Sequence, residues 1–186
     1  MHSFDTIGLL EVTSIGIGYL AQDAMLKASA VKLLLARTIC SGKYLIVVAG
    51  DTAAVTASVD AGIHESTGAL IEQRVITGVH PAIFPAIYSA VDLKLEEQEA
   101  LGIIETFSAS GIIDAADAAV KSAKITLFRV HLAMAIGGKG FLLLTGDVAS
   151  VEAAVAAGSK AASDEGMLVS RIVIPGPRRE LFGEYI

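Results

Sequence analysis

Tryptophan is absent from this chain of 186 residues, and cysteine occurs once, at position 40. One thiol excludes an intrachain disulfide framework, and alone it cannot complete a metal site. Charge is also scarce, at 18% of residues, and aromatics make up only 5%. Prolines number four against 18 glycines. A spanning helix needs about 20 consecutive apolar residues. The longest stretch without Asp, Glu, Lys or Arg, Val75–Val91, is interrupted by Gly78, His80, Pro81 and Pro85. A membrane span is therefore not expected. The N-terminal Met1-His2-Ser3-Phe4-Asp5 lacks a basic region followed by an apolar core, so no secretory signal is expected and the cytosol is the expected compartment. The 14 basic residues are scattered apart from Arg178-Arg179, and they face 20 acidic ones for a net charge of -6. That pattern argues against a nucleic-acid stripe.

Against these absences stands a surplus. Hydrophobic residues reach 53% and the mean hydropathy is +0.63, where a soluble domain has roughly 45–50% apolar and about 25% charged residues. With no membrane segment to absorb it, the excess apolar surface points to burial against other subunits.

The chain repeats itself. Ile7-Gly8-Leu9-Leu10-Glu11 returns as Leu101-Gly102-Ile103-Ile104-Glu105, an offset of 94 (105 − 11). Ser14 and Ser108, Asp23-Ala24 and Asp117-Ala118, Lys27 and Lys121, and Leu33 and Leu127 share it. Beyond a loop the offset becomes 96 (138 − 42): Gly42-Lys43 matches Gly138-Lys139, Gly50-Asp51 matches Gly146-Asp147, and Val55 and Val59 match Val151 and Val155. A period this long, present twice, means duplicated domains rather than a solenoid.

Each copy reads as βαββαβ. In the first, Thr6–Val12, Val31–Ile39, Tyr44–Ala49 and Ala69–Ile76 are expected strands. Gly16–Ser29 is an expected helix with small residues Ala21, Ala24 and Ala28, and Asp51 is placed to cap a second helix whose buried stripe is Val55, Val59 and Ile63. The second copy predicts strands at Gly102–Thr106, Ile125–Met134, Phe141–Thr145 and Met167–Ile174, and helices at Gly111–Ala123 and Val148–Ser163. Val79–Glu99, which carries Glu96-Glu97-Gln98-Glu99, is the connecting stretch, with room for short helical pieces. The expected domains are 1–90 and 101–186 with 91–100 as linker. The fold class is α/β, an α+β sandwich related to the ferredoxin-like arrangement and present in tandem.

Leu9-Leu10-Glu11-Val12-Thr13-Ser14, Asp23-Ala24-Met25-Leu26-Lys27, Ser41-Gly42-Lys43 and Gly50-Asp51, each echoed in the second half, resemble the shell-protein domain of bacterial microcompartments. The resemblance covers nearly the whole chain twice and implies a tandem-domain shell protein forming pseudo-hexameric homotrimers that tile with other microcompartment shell proteins. Thr38-Ile39-Cys40, His80-Pro81-Ala82 and Val130-His131-Leu132-Ala133 resemble more closely the iron–sulfur-bearing trimeric branch of propanediol-utilisation compartments. Two positions differ from that branch: Ser41 stands where proline follows the cysteine, and Gly176 stands where arginine separates two late prolines.

The resemblance implies a site for each of these residues. Cys40, Ser41 and Gly42, with Ile136, Gly137 and Gly138, would line a central pore. Cys40 from three copies would hold one [4Fe-4S] cluster per trimer, for electron transfer or cluster delivery across the shell to an encapsulated redox enzyme. Lys27 and Lys121 would be the lattice-edge lysines through which tiles meet.

Other chemistry finds less support. Gly137-Gly138-Lys139-Gly140 fails as a phosphate loop, because Ala133 and Gly140 occupy the places of the required Gly and Ser or Thr. No Ser/His/Asp set or paired-carboxylate spacing stands out, and a catalytic Cys40–His131 pair has only residue type behind it. His64 reads as solvated, His80 as a turn residue, and His131, aligned with Arg37, as a structural polar contact. The expectation is therefore a shell tile and not an enzyme. The alternatives are a shell trimer with a cluster-free metabolite pore and a trimeric small-molecule-binding regulator.

Overall fold

The computed structural model describes residues 4–93 and 98–182. Lys94–Glu97, within the expected linker, lie outside the described residues. The chain forms two compact units: 1–81 with 133–138, and 82–132 with 139–186.

In the first repeat β1 (Thr6–Val12), α1 (Ile15–Ala28), β2 (Lys32–Ile39), β3 (Lys43–Gly50), α2 (Thr52–Glu65) and β4 (Leu70–Thr77) follow one another. Helix α3 (Ile83–Ile87) lies inside the connecting stretch. The second repeat has β5 (Ala100–Thr106), α4 (Ala109–Ser122), β6 (Thr126–Leu132), β7 (Gly140–Gly146), α5 (Val148–Asp164) and β8 (Leu168–Pro175), then a 3-10 turn at Arg179–Phe182. The sheets have the orders β2-β3-β1-β4 and β6-β7-β5-β8, antiparallel throughout. This is the ferredoxin-like βαββαβ architecture that the element order implied.

Equivalent residues begin the helices. The Ser14 and Ser108 hydroxyls accept from the Ile17 and Gly111 N–H groups, at 3.4 and 3.1 Å. Asp51 Oδ1 accepts from Ala54 N–H at 2.9 Å and Asp147 Oδ1 from Ser150 N–H at 2.8 Å. These side chains satisfy first-turn donors that the helix itself cannot pair. Equivalent irregularities recur as well. The β1–β4 and β5–β8 ladders shift register after Glu11 and Glu105. The β2–β3 and β6–β7 ladders shift across Leu33–Leu35 and Leu127–Arg129. A bulge bends the strand that carries it, so the duplication extends to local curvature.

The core of each unit lies between helices and sheet. All seven residues of β1 are buried, and Met25, Ile46, Val55 and Val59 close the first core. One exchange distinguishes the copies. A Cβ on Gly18 would stand 2.5 Å from Tyr44, and a Cβ on Gly140 would stand 2.4 Å from Ile112. Gly18 is equivalent to Ile112, and Tyr44 to Gly140. The large residue thus sits on the strand in one repeat and on the helix in the other, filling the same space.

Strand β6 stops at Leu132, short of the expected Met134. Ala133 and Ala135 take left-handed φ of 60° and 62°, which costs an L residue with a Cβ roughly 1 kcal/mol each and turns the chain out of the ladder.

Candidate functional site

The β2–β3 loop is short because Ile39 pairs with Lys43, leaving Cys40, Ser41 and Gly42 to reverse the chain. Ser41 and Gly42 have φ of 67° and 73°. No heavy atom lies within 4 Å of a Cβ placed on Gly42, so glycine serves the backbone conformation there and not a close approach. Cys40 is a half-buried free thiol, while Ser41 and Gly42 are exposed.

The β6–β7 loop is longer, since its ladder ends one pair earlier, at Leu132–Gly140, and two residues are inserted. Gly137 and Gly138 also have positive φ, 69° and 87°. Ile136 is half-buried, Gly137 exposed and Gly138 buried. Residues 133–138 belong to the first compact unit. There Arg37 Nη1 donates to Met134 Sδ at 3.3 Å, and Lys43 Nζ lies 3.8 Å from where a Gly138 Cβ would stand. The structure therefore brings Gly138 beside the strand that leaves the cysteine loop.

Two ion pairs support these loops. Lys43 Nζ meets Glu11 Oε1 at 2.8 Å, and Lys139 Nζ meets Glu105 Oε1 at 3.0 Å. Glu11 is buried; Glu105 also accepts from Ser170 Oγ at 3.2 Å. Lys43 begins β3 and Lys139 immediately precedes β7, so each pair ties the start of that strand to the neighbouring central strand of its sheet. Sequence reasoning noted all four residues as repeat matches without pairing them. The signal was that Glu11/Glu105 and Lys43/Lys139 recur together with opposite charge.

Lys27 and Lys121 lie in the last turns of α1 and α4. Each ammonium meets the carboxylate four residues earlier, Asp23 or Asp117. Both lysines are exposed, at 74% and 47% of the side chain; Asp23 is exposed as well, which makes the Lys27 pair a surface contact of little intrinsic value, whereas Asp117 is only 16% exposed.

The histidines are dispersed. His64 is exposed beside Glu65, and His131 stacks on Phe141 with ring centroids 4.9 Å apart. The β-ladder registers confirm that His131 occupies the position of Arg37, opposite Phe141 and Leu45 respectively. Cys40 and His131 belong to different compact units. Among the described residues no group of three or more His, Cys, Asp or Glu could hold a metal ion. None of their helices is long and apolar enough to cross a membrane.

Burial raises the Tyr44 pKa, aided by its hydrogen bond with Tyr19. The Asp147 carboxyl is held below its ordinary range by the Ser150 hydroxyl and then the Ser150 N–H.

Two copies of one α+β sandwich, each with a hairpin loop closed by an equivalent ion pair, define a class of tandem-domain scaffold. The BMC-domain family model matches residues 6–79 and again 100–177, and the chain belongs to that family as a tandem-domain shell protein of bacterial microcompartments. Among its relatives is the bacterial microcompartment shell protein PduT of Citrobacter freundii, 41% identical over 180 residues, 97% of each chain. The shell protein EutM of Salmonella typhimurium is 45% identical over 83 residues, covering 45% of this chain and 84% of that one. A microcompartment protein from Desulfitobacterium hafniense DCB is 48% identical with a TM-score of 0.91, over 96% of this chain and 98% of that one. A fused, permuted hexameric shell protein from the RMM microcompartment shares the fold at 24% identity and a TM-score of 0.60, over 85% of this chain and 81% of that one.

Proposed function

We propose that this shell protein is a homotrimeric tile of six pseudo-equivalent domains, and that Cys40 from three copies holds one [4Fe-4S] cluster in its central pore. The observation that carries the reading is the position of the lone thiol: half-exposed, at the tip of a β-hairpin whose two following residues turn through left-handed φ. The donor chemistry fits the group only in part within one chain. Iron–sulfur clusters are held by cysteine thiolates, usually four, and one chain supplies one. A three-fold axis through the Cys40 loops would supply three, leaving one iron for water or an exogenous ligand. Ser41 and Gly42, both exposed, would donate backbone N–H groups towards cluster sulfur. Three thiolates and water would also suit zinc, so the metal's identity rests on the resemblance to the iron–sulfur-bearing branch. The bound cluster would supply one-electron chemistry across the shell, to a redox enzyme inside or by delivery of the cluster itself.

In the same reading Lys27 and Lys121 are the edge residues through which tiles join one another and other shell proteins. Shell function without catalysis accords with relatives that are shell proteins.

Cys40→Ser tests the site, since it removes all three ligands with little change in volume. The variant should remain a trimer and form sheets, but lose iron, acid-labile sulfide and the brown colour of protein purified without oxygen. Retention of stoichiometric iron and sulfide would sink the cluster. So would failure of the unaltered protein to acquire them on anaerobic reconstitution, in which case a plain metabolite pore replaces it.

A further inference from the structure

The two repeats share a fold but not an exposure pattern. On α1, Tyr19, Leu20 and Ile15 are exposed at 61%, 51% and 40%. At the equivalent positions of α4, Ile113 and Ala109 are 0% exposed and Asp114 replaces the leucine. Helix α1 buries Gly18, Ala21 and Met25, whereas α4 buries eight residues, Ile112 and Ile113 among them. The neighbouring strand follows suit. Val130 and Leu132 of β6 are buried, but their equivalents on β2, Ala36 and Thr38, are half-buried and exposed.

An identifiable element packs on the covered face. Helix α3, the segment that follows the first repeat, lies against β6 and α4, with Ile83 and Ala86 fully buried. The corresponding segment after the second repeat can be located by register. Thr77 and Pro175 pair with the equivalent residues Thr6 and Ala100, an offset of 98 (175 − 77). At that offset Ile83-Phe84 corresponds to Leu181-Phe182. The 3-10 turn that carries them has no buried residue. Leu181 is 47% exposed, and the Phe182 ring lies 5.9 Å from Phe128.

We infer that the open α1/β2 face is the docking surface for a second copy of this chain, and that Leu181 of that copy takes the place that Ile83 holds on α4/β6. Each chain thus carries one open face at its first repeat and one unburied segment after its second. That makes the contact heterologous, and a heterologous contact closes into a ring when its rotation allows. Burying Leu20, Leu181 and the exposed part of Tyr19, which are 51%, 47% and 61% exposed, removes apolar surface of both elements from water, in keeping with apolar obligate interfaces. The inference rests on the trimeric reading above and assigns the surface that builds the trimer.

The test uses the full chain carrying Cys40→Ser, with Tyr19→Cys and Leu181→Cys added, treated with a short bis-maleimide. Covalent dimers and trimers should appear on a denaturing gel and should require both new cysteines. Leu181→Asp in the unaltered chain should shift sedimentation from trimer towards monomer while circular dichroism still shows the native fold. If the double-cysteine chain sediments as a trimer yet yields only covalent monomer, this surface is overturned and the trimeric reading stands. Sedimentation of the unaltered protein as a monomer at micromolar concentration overturns both.

Discussion

Glu11 is a buried carboxylate in a central strand. It is 4% exposed, and its carboxylate meets Lys43. Removing one member of a buried ion pair strands the other, at about 3 kcal/mol or more. Because Lys43 keeps 31% side-chain exposure, the loss belongs at the lower end of that range. Lys43→Met should therefore lower stability by about 3 kcal/mol in urea unfolding, and adding Glu11→Leu should recover most of it. Failure of the second change to rescue would mean that the lysine acts through something other than Glu11. Asp147 makes a pH-dependent contribution. Its folded pKa lies below the ordinary 3.8, so its stabilisation is complete above that value and is lost as pH falls through the depressed one. Asp147→Ala should lower the melting temperature at neutral pH, and the gap to the unaltered protein should close as the medium is acidified below the ordinary carboxyl range.

At the scale of elements, the exchange between Gly18/Tyr44 and Ile112/Gly140 shows how a duplicated unit can diverge without changing shape. A β-carbon at position 18 would overlap Tyr44, so Gly18→Ile alone should destabilise by about 1–3 kcal/mol through overpacking. Combined with Tyr44→Gly it rebuilds the second repeat's solution. A double-mutant cycle by chemical denaturation should return a favourable coupling of at least 0.5 kcal/mol, the scale of interaction expected between contacting residues. Additive losses would show that the two positions do not share space. The caps belong here as well: Ser108→Ala removes a partner of the Gly111 N–H and should cost about 1 kcal/mol.

For the whole molecule, the proposed lattice makes one further demand. Lys27→Ala with Lys121→Ala removes two exposed ammonium groups, which meet Asp23 and Asp117 within the chain. Trimers should persist in sedimentation, because these side chains lie outside the apolar face of α1, while extended sheets should disappear in electron micrographs. Sheets of unchanged size and order would remove both lysines from the edge assignment.

How much was legible in the sequence follows from what each feature depends on. Strand and helix order, the cap at Asp51, and the duplication with its change of offset, which pairs Asp51 with Asp147 and Ser14 with Ser108, are set by local pattern and chain spacing. They could be read directly because hydrophobic periodicity and capping chemistry act within a few residues. The repeat also made Arg37 and His131 equivalent before any register was known. The early end of β6 could not be read: Val130-His131-Leu132-Ala133-Met134 is an acceptable strand by composition, and only the structure shows Ala133 and Ala135 in left-handed conformations. The same is true of the Lys43–Glu11 and Lys139–Glu105 pairs, whose members stand 32 and 34 residues apart and meet because the central strands lie side by side. Tertiary structure alone separates Tyr19 from Ile113, since helices with equivalent positions and caps differ in what packs on them, and exposure belongs to the surroundings and not to the residue.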